Sequence, residues 1–193
     1  MAILKREPEI FPEGLFDLET DASPWWVARV KSRHEKALAR HLLPFEVPFY
    51  LPQSEQVVRR GNRSFTSYLP LFSGYVFFRG SRSERLVALQ SQVVSEILEV
   101  RDQDRLEAEL LQLRRLQLSG ASLIPLRTFA PGEAVVVTDG PFRGYEGVVV
   151  RDKGRTRLIV SISLLRKAVA VELSAHALAP SAIRRSGSSA AVA

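Results

Sequence analysis

The chain has 193 residues, of which 46% are hydrophobic, a net charge of +6 at neutral pH, and no cysteine. This length allows a buried core and suits one mid-sized domain joined to a small one. Without cysteine there can be no disulfide, thiolate nucleophile or cysteine-ligated metal, and three histidines give little support for a zinc site, so we predict no metal and no cofactor. No apolar run reaches the roughly 18 residues of a membrane span, and the N-terminus lacks an apolar signal core, which predicts a cytoplasmic protein with no membrane partner.

Residues 1–24 are predicted to be an irregular leader, because they contain three prolines and no sustained hydrophobic period. They hold six acidic and two basic side chains, whereas the rest of the chain is basic. A basic body favours a polyanion or an acidic protein groove as partner, although arginine-rich surfaces are also commonly plain solvated surface.

A first domain is predicted over residues 25–118. It begins with the β-rich run Trp25–Val30. The spacing of Ser32 and Glu35 fits a capping box, so a helix of about three turns should follow and end before Pro44.

A β-hairpin is predicted further along, where residues 56–60 and 64–68 flank Gly61 and Asn62. This pair suits the positive backbone φ of a tight turn.

The run over residues 71–79 is apolar on both of its faces. Alternation predicts two sets of side chains on opposite sides of a strand, namely Phe72, Val76 and Phe78 on one side and Tyr75 and Phe77 on the other. Such a strand is either buried on both faces or binds a partner.

The rest of the chain contains two more helices and a β-rich unit. Residues 83–90 and 104–118 have helical periodicity, with Asp104 and Glu107 at capping spacing, and residues 93–100 are a predicted strand. Residues 119–128 are the predicted linker, residues 129–180 a small closed barrel of short strands, and residues 181–193 a disordered tail. Dense β-branched residues predict that this barrel stays β, although the stretch 164–171 could also supply an apolar helical face.

The segment over residues 131–149, PGEAVVVTDGPFRGYEGVV, resembles the KOW motif of NusG-like proteins. The resemblance implies an SH3-like barrel in which Phe142 and Tyr145 lie on an exposed partner-binding loop. For both residues, the alternative is a ring that plugs the end of the barrel.

Two further segments extend the resemblance to the N-terminal (NGN) domain of the NusG family. These are Trp25–Val30 with the helix after it, and residues 71–78, LFSGYVFF, similar to the family's Leu-Phe-Pro-Gly-Tyr-Val strand. The family's domain is a ferredoxin-like α/β sandwich that binds the clamp helices of RNA polymerase through an apolar hollow. Carried over by position, Tyr75 and Phe77 belong to this hollow, and Arg29 lies at its edge, where RfaH has an aromatic residue. For Tyr75, a plain core role is the alternative.

The barrel differs from that of housekeeping NusG. Ser163 stands where those proteins have the phenylalanine used towards Rho and ribosomal protein S10, and a loop two residues longer, containing Leu164 and Leu165, resembles specialised paralogues of the UpxY and RfaH kind. The resemblance therefore implies an operon-specific antitermination factor with Leu164 and Leu165 among its partner-binding residues. It argues against Rho as a partner and leaves ribosomal protein S10 open.

A basic cluster lies at the start of the first helix and on it, formed by Lys31, Arg33, His34, Lys36 and Arg40. By resemblance to RfaH, this surface faces the non-template DNA strand of the transcription bubble. The alternative is a solvated helix face. The hairpin residues Arg59, Arg60 and Arg63 are a second candidate for nucleic-acid binding.

No catalytic arrangement is evident, since the close carboxylate pairs on and before the last helix have capping or solvated-helix explanations. The sequence thus predicts an α+β protein, a monomer and not an enzyme, that acts as a transcription elongation factor on RNA polymerase. The alternative is a KOW-type RNA-binding or ribosome-associated protein.

Overall fold

The computed structural model describes residues 7–17, 23–121, 123–126, 133–137, 146–152, 155–165, 167–173 and 178–180. Within these residues the helices are α1 Glu35–Leu42, α2 Arg82–Gln90 and α3 Gln103–Leu118. The strands are β1 Ile10–Phe11, β2 Trp25–Val30, β3 Phe49–Tyr50, β4 Gln53–Arg60, β5 Arg63–Pro70, β6 Tyr75–Arg79, β7 Val94–Glu99, β8 Ile124–Leu126, β9 Glu133–Val137, β10 Glu146–Asp152, β11 Arg155–Ile162, β12 Lys167–Leu173 and β13 Leu178–Pro180. None of the helices described is long and apolar enough to cross a membrane.

The first domain is a ferredoxin-like sandwich. Its elements follow one another as β2, α1, β3, β6, α2 and β7, which is the βαββαβ order of that fold. The sheet has the strand order β1-β3-β6-β2-β7, and each neighbouring pair is antiparallel. The mixed α and β architecture predicted for this domain is therefore confirmed.

Successive side chains of β2 and β6 point to opposite sides of the sheet. Both faces therefore carry apolar side chains, and helices cover each of them. One face packs against α1 and α2 through Leu38, Leu42 and Ala88, with Val76 and Phe78 beneath them. The opposite face packs against α3, whose buried leucines recur every three or four residues, at Leu106, Leu110, Leu113 and Leu116.

The helix starts differ from the predicted ones. His34 precedes α1 without a side-chain capping bond, and the Glu35 carboxylate is buried and accepts a hydrogen bond from the Gly74 amide at 2.6 Å. The predicted capping box of Ser32 is therefore wrong, because a distant turn takes up the carboxylate. In α3 the capping residue is Asp102, ahead of the predicted Asp104.

The predicted hairpin is confirmed and is longer than the sequence indicated. Its strands β4 and β5 pair in register from Gln53 with Pro70 to Arg60 with Arg63. The turn between them is Gly61 and Asn62, with Gly61 at φ 56°. This ribbon is a two-stranded sheet of its own.

Part of the leader is ordered against the first domain, in contrast to the irregular segment expected there. β1 pairs with β3 and adds an edge strand to the sheet. Leu15 is fully buried, and the ring of Phe16 stacks on Trp25 at 5.8 Å between centroids. These apolar side chains are covered only when the leader folds back on the sheet, and for this reason local sequence alone did not reveal the arrangement.

The second unit is a six-stranded antiparallel sheet in the order β13-β9-β10-β11-β12-β8. Its strand β8 comes from residues that the sequence assigned to the linker, and it pairs with β12. The turn predicted at residues 139–141 lies outside the described residues.

Candidate functional site

The candidate site is the face of the first sheet that carries Tyr75 and Phe77. In the antiparallel register Val27 is opposite Phe77, and Arg29 is opposite Tyr75, so all four side chains share one face. The predicted separation of Tyr75 and Phe77 from Val76 and Phe78 is therefore confirmed.

Phe72 was predicted to lie with Val76 and Phe78, and this prediction is wrong. The Phe72 and Phe77 rings meet edge to face with centroids 6.0 Å apart, on the Tyr75 side of the sheet. The alternation fails because β6 begins only at Tyr75, after a turn at Ser73 and Gly74 in which Gly74 has φ 87°.

The second unit packs on this side of the sheet, against α3 and Tyr75. Phe77 has no exposed surface, and it belongs to a core cluster that contains both the α3 leucines and four side chains of β11 and β12, namely Val160, Ile162, Val169 and Val171. Tyr75 is half-buried against the same cluster. The face expected to bind a partner is thus joined, through one buried cluster, to α3 and to the chain's own second unit.

Ser163 forms a polar contact between the two units. Its amide donates to Glu109 Oε2 at 2.9 Å, and its hydroxyl donates to Glu109 Oε1 at 2.5 Å. Arg105 donates to the Ser163 hydroxyl at 2.7 Å and to the Glu109 carboxylate at 3.2 Å. Ser163 therefore faces α3.

Lys167, at the start of β12, caps the Tyr75 ring. Its Nζ lies 4.6 Å from the ring centroid and donates to the Ser73 carbonyl oxygen at 2.9 Å. Burial lowers the pKa of Lys167 below its ordinary value, although the Glu35 carboxylate opposes this shift. The tyrosine face that could meet a partner is thus occupied by an ammonium group from the second unit.

The two leucines of the longer loop have different surroundings. Leu165 packs against the shared core cluster, whereas Leu164 is exposed. The other two barrel residues predicted to bind a partner, Phe142 and Tyr145, lie outside the described residues.

Arg29 marks the open edge of the face. Its guanidinium is 3.6 Å from the Glu96 carboxylate on the neighbouring strand β7, and both side chains are more than half exposed. Screening by solvent makes such an exposed pair weak, so Arg29 can exchange Glu96 for another acidic group at little cost.

The predicted basic cluster is divided into two groups. Lys31, Arg33 and His34 are exposed at the turn before α1, where Lys31 Nζ donates to the Gln92 carbonyl oxygen at 2.9 Å.

The other two members of the cluster are less available than the sequence suggested. Lys36 is buried, and burial lowers its pKa. Arg40 forms an ion pair of 2.6 Å with Glu7 of the leader. The acidic leader thus lies against the helical part of the cluster, which no local pattern could have shown.

Sequence reasoning missed two residues of the site, Glu109 and Lys167. Both appear in the sequence as ordinary charged residues, one on the third helix and one on a β-rich run. Their roles arise from contacts between positions 54 or more residues apart, for which the sequence pattern contains no signal.

Comparison with known proteins finds one matching family model. The family described as "Transcription termination factor nusG" matches residues 23–119, about half of the chain. No curated protein sequence is a significant match.

Several solved structures resemble this chain. One, described as "Domain interaction in Thermotoga maritima NusG", is 17% identical and covers 81% of this chain and 96% of that chain, with a TM-score of 0.44. Conformations A and B of the MjSpt4:Spt5 complex are 14% and 13% identical, cover 81% and 83% of this chain and 97% and 99% of those chains, and have TM-scores of 0.29 and 0.28.

Proposed function

Because the chain belongs to the NusG family of transcription factors, we propose that it binds the clamp helices of RNA polymerase through Tyr75, Phe77 and Arg29. In this role it modulates pausing and termination during elongation and has no catalytic activity. The observation that supports this proposal is one face of the sheet carrying Tyr75, Phe77 and the exchangeable cation Arg29. Buried aromatic residues with a charged rim are the usual energetic centre of a protein interface.

Binding at this face requires the second unit to move away. Phe77 has no exposed surface and shares one buried cluster with α3, β11 and β12, and Lys167 occupies the Tyr75 ring. We therefore assign the docked arrangement to free protein and an undocked arrangement to the polymerase complex. The apparent affinity then equals the intrinsic affinity multiplied by the undocked fraction.

We further propose an operon-specific antitermination role rather than recruitment of Rho. Ser163 is bonded to Glu109 and Arg105, and Leu165 packs inward, so neither is free to meet a partner of the second unit in the docked arrangement. The second unit, proposed to be a closed KOW barrel, then offers Leu164, Phe142 and Tyr145. Ribosomal protein S10 would compete with α3 for the part of the second unit that carries Ser163 and Leu165.

Lys31, Arg33 and His34 are the proposed contacts for the non-template DNA strand. They are exposed, and cations at a turn can neutralise phosphates without any rearrangement of the helix. Lys36 and Arg40 contribute only if the leader releases them, because Arg40 is paired with Glu7.

The test is a quantitative pull-down with core RNA polymerase. Tyr75→Ala should weaken binding by roughly thirtyfold or more, since loss of an interfacial aromatic costs about 2 kcal/mol. The matched control is Phe45→Ala, which removes an exposed aromatic ring next to α1, on the opposite side of the sheet. Equal binding by both folded variants would refute the assignment, as would co-purification with ribosomes or RNA in place of polymerase.

A further inference from the structure

The leader brings negative charge onto α1. Its residues 7–17 include four acidic side chains and no basic one. Among them, Glu7 lies against the helix, where its Oε1 accepts a hydrogen bond from Arg40 Nη1 at 2.6 Å. Burial lowers the pKa of Lys36, one turn earlier on α1, and the Glu7 charge opposes this shift. One leader carboxylate therefore acts on Lys36 and Arg40 together.

The leader is anchored by contacts that do not involve the Glu7 side chain. β1 pairs with β3 at the edge of the sheet, and the Leu51 amide donates to the Glu9 carbonyl oxygen at 2.6 Å. Gln53 Nε2 donates to the Glu7 carbonyl oxygen at 3.0 Å. On the α3 side, Arg114 pairs with the Glu9 carboxylate at 2.9 Å, and both of these side chains are less than one fifth exposed. The leader can therefore stay in place when Glu7 loses Arg40.

The ion pair between Glu7 and Arg40 is itself easy to exchange. The Arg40 side chain is 56% exposed, and solvent screening makes pairs of this kind weak. The pair forms because the anchored leader holds the carboxylate beside the guanidinium at a high effective concentration. A phosphate that is held in the same way, by neighbouring contacts of a bound strand, can take its place.

Such neighbouring contacts are present at the start of α1. Lys31, Arg33 and His34 are exposed at the turn before the helix. Arg40 is five residues after the first residue of α1, which is about 7.5 Å along the helix axis. A nucleic-acid strand that contacts the turn is therefore within a few phosphates of Arg40.

From these contacts we propose that Glu7 is an intramolecular competitor that shields Arg40 in the free protein, and that a single DNA strand held at the Lys31 turn displaces it. This inference rests on the proposed DNA contacts at that turn. Arginine presents a fork of donors that a phosphate can accept bidentately, so the exchange replaces a carboxylate contact with one of at least equal strength. Isolated anions gain little from this exchange, whereas a strand that engages the whole basic surface gains a further contact. The leader thereby favours such a strand over other anions.

The experiment measures the affinity of the full-length protein for a fluorescent oligothymidine strand. Glu7→Gln should tighten binding by roughly two- to fivefold, since Arg40 no longer exchanges a partner on binding. The same change made together with Arg40→Gln should give no such gain over Arg40→Gln alone. Arg40→Gln by itself should lower the log–log salt slope by about 0.7, because one phosphate contact is lost. The matched control is Glu13→Gln, which removes an exposed carboxylate of the same leader and should have a smaller effect than Glu7→Gln.

Each of the remaining outcomes overturns the inference. Equal gains for Glu7→Gln and Glu13→Gln would assign the effect to overall charge, and a gain that persists without Arg40 would place the action of Glu7 elsewhere. An unchanged salt slope in Arg40→Gln would remove Arg40 from the DNA contacts. Altered amide chemical shifts of β1 in Glu7→Gln would show that the leader is not anchored independently.

The proposed DNA contact at the turn is tested separately, by Lys31→Gln with Arg33→Gln. If this variant binds the strand as the parent does, the proposed contact fails, whatever Glu7 does. If it binds more weakly while Glu7→Gln matches its control, only the inference about the leader fails.

Discussion

Replacing Glu109 with alanine should release the second unit from the first domain. The carboxylate is largely buried, with its side chain 17% exposed, and it accepts both hydrogen bonds of Ser163, at 2.9 and 2.5 Å. Alanine is the best helix former, so α3 itself should not be weakened.

The size of the effect follows from these contacts. A hydrogen bond to a charged group contributes about 1.5–3 kcal/mol, but water and the remaining Arg105 bond replace part of what the half-buried Ser163 loses. We therefore expect a net loss of about 2 kcal/mol, which shifts the ratio of docked to undocked protein by roughly thirtyfold. Where the docked form dominates, apparent polymerase affinity should rise by up to the same factor.

Amide chemical shifts of Ser163 and β12 report docking, and a binding titration with core polymerase reports its consequence. Glu109→Gln, which keeps the side-chain shape and one acceptor oxygen, should give an intermediate result. Glu99→Ala removes an exposed carboxylate on β7 and serves as the control. If Glu109→Ala has the parent's chemical shifts and the parent's affinity, the Ser163 contact does not hold the units together.

Three further outcomes are expected. Phe77→Ala should lower the free energy of unfolding by about 3–5 kcal/mol in urea titrations, and a smaller loss than for Tyr75→Ala would contradict its place in the core. Leu15→Ala should cost about 2–5 kcal/mol, whereas an unchanged urea midpoint would mean that the leader does not pack on the sheet. The pKa of Lys167, followed by NMR, should lie below 10.5 in the parent and rise in Glu109→Ala, because undocking returns the ammonium to water. Because docking lowers the pKa of Lys167, burying its charged ammonium group costs free energy of docking. This cost is fully present at pH values below the pKa of the docked form, and it disappears as pH rises through 10.5. Docking should therefore strengthen towards alkaline pH.

The sequence by itself determined the features that depend on neighbouring residues. Gly61 and Asn62 specify the ribbon turn through their backbone preferences, and alternation separates Tyr75 and Phe77 from Val76 and Phe78. The motifs over residues 25–30 and 71–78 led to the family that the matching model identifies.

Only the tertiary structure decided how distant residues meet. Glu35 was assigned to a helix cap, yet it holds the turn before β6, and Arg40 was assigned to a free basic face, yet it pairs with the leader. The contact between the two units depends on Ser163 and Lys167 reaching α3 and Tyr75. The physical reason is that a charged or apolar side chain accepts any partner of suitable chemistry. Local spacing therefore fixes which face it lies on, whereas packing of the whole chain selects the group it meets there.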